Sequence, residues 1–229
     1  MLRTSMVSLS ILTVLSTLVH ADPTLYSGML TSAESQIIGI AGNPWLTGDT
    51  TFAWTVTGNT NGTYTYDYRL TVPDASKQIS HLIFEVSPTF TSANILSVLA
   101  GTLDGSQPDS YPKRSDAGMP SAMRGIKFSN GGAGSTSYDW IVSFVSDRAP
   151  VWGDFYAVDG KTFGYKTAVW NAGFTAPDTD PIAAAQSGSI GNHILVPDTQ
   201  TSTIPAPGAL LLSSLGASLI SWLRRRRML

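Results

Sequence analysis

The chain contains no cysteine, and only 13% of its 229 residues are charged, about half the share usual in soluble domains. The first absence excludes a thiol nucleophile, a zinc–thiolate site, an iron–sulfur cluster and a disulfide framework. Histidine is nearly as scarce, with three in the chain. No Gly-x-Ser-x-Gly, His-Glu-x-x-His or Gly-x-x-x-x-Gly-Lys stretch occurs, so the hydrolase elbow, the metalloprotease helix and the phosphate loop all lack their sequence. An amphipathic helical pattern of useful length is missing as well. What is present is 42% apolar residues, 10% aromatics, 21 Gly and 13 Pro. That amount of apolar material suffices for one packed domain and argues against intrinsic disorder.

The formal charge of −2 hides an uneven distribution. Five basic residues lie at the ends, Arg3 and the run Arg224, Arg225, Arg226, Arg227, whereas all 16 acids lie between Asp22 and Asp198. The region between the ends is therefore strongly acidic and would repel polyphosphate, which makes nucleic acid an unsuitable partner. No cofactor is expected.

Both ends read as addresses. Arg3, an uncharged apolar stretch from Met6 to Val19 and the small residue Ala21 before Asp22 have the three parts of a secretory signal peptide over residues 1–21, cut between Ala21 and Asp22. At the other end, Ala209 to Leu223 is an uncharged run of 15 residues. As a helix it rises about 22 Å, short of the roughly 30 Å hydrocarbon core, so a transmembrane helix over about 208–223 spans with help from Trp222 and snorkelling arginines. Arg224 to Arg227 fix its end in the cytoplasm and leave everything upstream outside. Pro197 to Thr203, with no large apolar residue, reads as a flexible linker over 197–204.

Pro205-Ala206-Pro207, the short apolar helix and the terminal arginine cluster together resemble the PEP-CTERM sorting tail of bacterial exported proteins, over residues 205–229. The pattern differs in carrying Ala206 where the name-giving motif has Glu. The resemblance implies a substrate of an exosortase, a membrane-embedded transpeptidase-like partner that cuts near Pro205–Pro207 and releases the protein to the cell surface or an exopolysaccharide-rich matrix. A permanent tail anchor would need the same helix. The segment from Ser146 to Gly160 also resembles a stretch recurring in exported PEP-CTERM proteins of uncharacterised role, which carries no activity with it.

Between the ends the apolar period is two. Tyr64, Tyr66, Tyr68, Leu70 and Val72 share one face, and Thr63, Thr65, Asp67, Arg69 and Thr71 the other, as in a half-buried antiparallel strand. Phe52, Trp54 and Val56 alternate just before it, and Gly58-Asn59-Thr60-Asn61-Gly62 supplies a hairpin turn. Further strands are expected at 36–41, 80–87, 126–129, 138–145 and 151–157, with weaker ones at 162–171 and 189–196. Residues 104–122, with three prolines, read as a long surface loop. The fold expected over 22–196 is all-β, an antiparallel jelly-roll-like sandwich.

Two readings of the body's distinctive segment stay open. In one, Trp140, Trp152 and Tyr156 offer flat faces to a sugar ring while Asp147, Arg148 and Asp154 bond its hydroxyls. In the other, the aromatics are core and Asp147 pairs with Arg148 or caps a turn. Paired carboxylates for glycoside hydrolysis would have to come from Asp139, Asp147 and Asp154. His81 falls with Ile83 and Glu85 on the outer face of its strand. Asp178-Thr179-Asp180 is a fragment of a calcium loop and reads as turn-forming, so no metal site is expected. The expected function is a non-enzymatic exported surface or matrix protein. The alternatives are a carbohydrate-binding module, which predicts an exposed row of aromatics, and an exported carbohydrate-active hydrolase.

Overall fold

The computed structural model describes residues 24–73, 78–113, 118–130, 138–160, 167–174 and 180–197. The signal peptide with Ala21 and Asp22, the Pro205–Pro207 motif, the helix expected over 208–223 and the arginines 224–227 lie outside these residues.

Thirteen strands are described: β1 Leu25–Thr31, β2 Ile37–Gly39, β3 Thr51–Gly58, β4 Tyr64–Thr71, β5 Ile79–Glu85, β6 Ile95–Ala100, β7 Thr102–Tyr111, β8 Met123–Ser129, β9 Asp139–Ser146, β10 Pro150–Gly153, β11 Phe155–Asp159, β12 Ala168–Asn171 and β13 Ile194–Pro197. Among the described residues the only helical segments are two 3-10 turns, Pro44–Leu46 and Ser92–Asn94, and no helix is long and apolar enough to cross a membrane. Among the described residues every pairing is antiparallel. One sheet runs β1-β3-β4-β9-β6, a second runs β2-β12-β11-β5-β8-β7, and β10 pairs with β13 in a small third one.

The β3–β4 hairpin follows from its alternation. Gly58 pairs with Tyr64, the Asn59 amide donates to the Thr63 carbonyl at 2.7 Å, and Gly62 supplies the left-handed turn position with φ of 81°. The inward side chains of the first sheet, Phe52, Trp54, Val56, Tyr66, Tyr68, Leu70, Val142 and Phe144, are all buried. They meet the second sheet through ring pairs. Phe52 stacks on Phe155 with centroids 4.0 Å apart, Tyr68 on Phe84 at 4.2 Å and Phe144 on Phe128 at 5.3 Å. The molecule is thus an all-β sandwich with an aromatic core between two sheets.

The second sheet is covered on its other face too. Ile83, Met123, Tyr156, Val158, Ala168 and Trp170 form a second apolar layer closed by Met119 and Phe174 from loops. Ile83 is accordingly buried, which corrects the solvated outer face expected from His81, Ile83 and Glu85. The loop expected over 104–122 is also revised. Its first half is β7, an edge strand, and its later part delivers Met119 to the second layer. Proline is tolerated there because an edge strand has one unpaired side, and the register with β8 shifts between Asp104 and Asp109.

Three strands escape the sequence pattern. In β1, Leu25 and Met29 face outward and are exposed, and in β6 Leu96, Val98 and Leu99 are exposed, so neither shows a clean apolar face. The third is β7. At the C-terminal end, β13 includes Pro197, which pairs with Pro150, so this residue belongs to the domain rather than to the linker. Ile194, Leu195 and Val196 are buried in the main core, and the buried Tyr68 hydroxyl donates to the Leu195 carbonyl at 2.8 Å.

Candidate functional site

The side chains singled out for sugar binding do not form one surface. Trp140 is 6% exposed, Trp152 1% and Tyr156 0%. Trp140 and Trp152 belong to the core between the sheets, whereas Tyr156 lies in the second layer, stacked with Trp170 at 6.2 Å. All the tryptophans among the described residues are buried. A face hidden in this way cannot stack on a sugar without rearrangement.

Asp147 and Arg148 perform local work where β9 turns into β10. Asn94 Nδ2 donates to Asp147 Oδ1 at 2.9 Å, and Arg148 Nη2 donates to Asn94 Oδ1 and to the Thr89 carbonyl, each at 3.3 Å. The Tyr66 hydroxyl donates to the Arg148 carbonyl at 2.7 Å. These bonds tie the β9–β10 turn to the 3-10 turn at Ser92–Asn94. Asp139 sits elsewhere, paired with Arg69 through Nε–Oδ1 at 2.7 Å on the outer face of the first sheet. Hydrogen bonding to Arg69 is the main cause that holds the Asp139 carboxyl below its ordinary range. Asp139, Asp147 and Asp154 therefore have three separate sets of partners.

Asp154 is where the structure concentrates chemistry. It occupies the single residue between β10 and β11, where the chain leaves the small sheet and enters the second one, and it is completely buried. Its amide donates to Glu85 Oε2 at 3.0 Å, and its carbonyl accepts from the Glu85 amide at 2.9 Å. Asn171, the last residue of β12, donates through Nδ2 to Asp154 Oδ1 and accepts the Phe155 amide through Oδ1 at 3.0 Å. The carboxylate is thus aimed by backbone and amide contacts from two neighbouring strands.

What it is aimed at comes from the approach to β13. Gly191 and Asn192 have φ of 57° and 62°, and the His193 amide donates to the Ile190 carbonyl at 3.0 Å. Two successive left-handed positions make a tight turn that Gly and Asn accommodate. The turn delivers His193 at the threshold of β13, and its Nδ1 lies 2.9 Å from Asp154 Oδ1 and 3.6 Å from Asp180 Oδ1. The ring rests against Gly173, where a Cβ would come within 2.7 Å of Nε2. Asp180 also borders a recess of about 60 Å³ shared with Glu85, Val86, Ser87, Val151, Trp152 and Val196.

Sequence reasoning pointed to Asp154 but as a sugar contact, and to Asp180 only as part of a turn. His193 had no motif beside it. The signals that existed were the scarcity of histidine and the Gly191-Asn192 turn that aims this one. Asp178 and Thr179, the rest of the calcium-loop fragment, lie outside the described residues. In comparisons with known proteins, no family model, no curated protein and no solved structure matches the chain.

Proposed function

We propose that the chain is an exported, non-enzymatic protein of the cell surface or extracellular matrix, sorted by an exosortase-type system. The observation that carries this reading is the tail, Pro205-Ala206-Pro207 followed by a short apolar run and four arginines, together with the apolar N-terminal segment that agrees with it in topology. Before processing, the helix over about 208–223 holds the protein in the inner membrane with the arginines in the cytoplasm. The partners are the exosortase-like transpeptidase and, after release, exopolysaccharide. The sandwich acts as a scaffold of jelly-roll type. Support for that type comes from successive strands that repeatedly change sheet, as β4 to β5, β5 to β6 and β8 to β9 do. Support for a scaffold comes from large aromatics committed to the interior.

Intact-mass measurement of the protein recovered from cells with and without a working sorting enzyme tests the proposal. The expected result is loss of the residues following Pro205–Pro207 only when that enzyme is active. An uncut tail in both strains, or a domain shielded from protease in whole cells, would overturn it.

A further inference from the structure

The geometry points to a divalent transition-metal site formed by Asp154, Asp180 and His193. Each residue offers one ligand atom, and all three atoms lie within 4.8 Å of one another. Ligand atoms bound at zinc's usual 2.0–2.2 Å stand about 3.0–3.5 Å apart for octahedral or tetrahedral angles. The two separations at His193 Nδ1, 2.9 and 3.6 Å, bracket that range.

An imidazole hydrogen-bonded to a carboxylate would produce one short contact as well, but the His193 ring does not fit that description. Its side chain is 6% exposed, and Nδ1 makes no hydrogen bond of acceptable geometry despite its 2.9 Å approach to Asp154 Oδ1. A cation placed between the three atoms would give Nδ1 a partner through the ring's lone pair. The arrangement behind Asp154 is also that of a ligand held in place. Asn171 Nδ2 donates to the same Oδ1, which fixes the carboxylate's orientation as outer-shell partners do at metal sites.

The donor set selects the metal class. One imidazole nitrogen with carboxylate oxygens suits zinc or manganese, whereas calcium and magnesium favour all-oxygen shells. Two carboxylates balance the ion's charge. The side chain of Asp180 is 40% exposed and its recess reaches the site's rim, so water has access to the remaining coordination positions. Such an ion would join the β10–β11 junction, the segment at Asp180 and the start of β13, clamping the C-terminal strand to the second sheet.

The test uses the full, untagged chain in mild detergent, stripped with a chelator and titrated with Zn²⁺ by calorimetry, with bound zinc counted by elemental mass spectrometry. One Zn²⁺ per chain is expected, with a rise in the unfolding temperature that Mg²⁺ and Ca²⁺ do not reproduce. Loss of a ligand should cost at least what loss of an outer-shell partner does, so Asp180→Asn and His193→Gln should each weaken binding by more than about tenfold. His81→Gln should leave the affinity unchanged. Asp180 is partly exposed, so its variant keeps the test decisive even if His193→Gln does not fold. Failure of the folded wild type to take up zinc, or an Asp180→Asn chain that binds as tightly as wild type, would overturn the assignment. The result is independent of whether the tail is processed.

Discussion

The two large sheets solve the same burial problem differently. Across the first sheet, the outward row Met29, Ala53, Arg69 and Ile141 is set by the register of β1, β3, β4 and β9, and Met29 and Ile141 are left exposed beside the Arg69–Asp139 pair. Across the second, the outward row Ile38, Trp170, Tyr156 and Ile83 is set by β2, β12, β11 and β5, and there Trp170, Tyr156 and Ile83 are buried. One sheet meets water; the other carries a second apolar layer. Burial therefore depends on what the chain folds over a face as much as on the strand itself, and a strand apolar on both sides signals such a cover.

The largest effect that would break this contrast comes from hollowing the covered side. Ile83→Ala should lower unfolding free energy by about 2–5 kcal/mol in urea titration, because it leaves a cavity under Met119 and Phe174. A change of the kind seen at exposed sites would mean that the second layer is not packed. On the opposite sheet, Ile141→Thr should stay within about 0.5 kcal/mol of wild type in the same measurement. The smallest effect sharpens the electrostatic side of the comparison. Arg69 lowers the Asp139 pKa, so the pair stabilises the fold above the unfolded carboxyl value of about 3.9 and the gain disappears as pH falls through the lower folded value. Asp139→Asn should be slightly less stable than wild type at neutral pH, and the two unfolding curves should converge on acidification. Both groups are substantially exposed, so solvent screening keeps the difference small.

The β3–β4 hairpin was readable because Tyr66, Tyr68 and Leu70 alternate with Asp67 and Arg69, and its turn carries its own Gly and Asn. The strand over 138–145 announced itself in the same way. In contrast, β6 places Leu96, Val98 and Leu99 in the open, so its apolar residues gave no face to read, and β7 carries Pro108, which reads as a breaker except at an edge. The Asp154 centre was legible in pieces only. Asp154 read as a sugar contact and Asp180 as a turn former, and His193 follows a turn signal without any neighbouring ligand. Its geometry is made by β10, β11, β12 and the approach to β13 arriving at one point.

By itself the sequence determined the all-β class, the main hairpin, and the two apolar ends with their flanking charge on which the sorting proposal rests, because each is a local matter of alternation, turn chemistry or charge next to an apolar run. Tertiary structure alone decided that the second sheet is covered on both faces, that Trp152 and Tyr156 belong to different apolar layers, and that Asp154, Asp180 and His193 converge. Those outcomes depend on which distant segments share a volume, and a side-chain pattern along one strand holds no record of what will be laid across it.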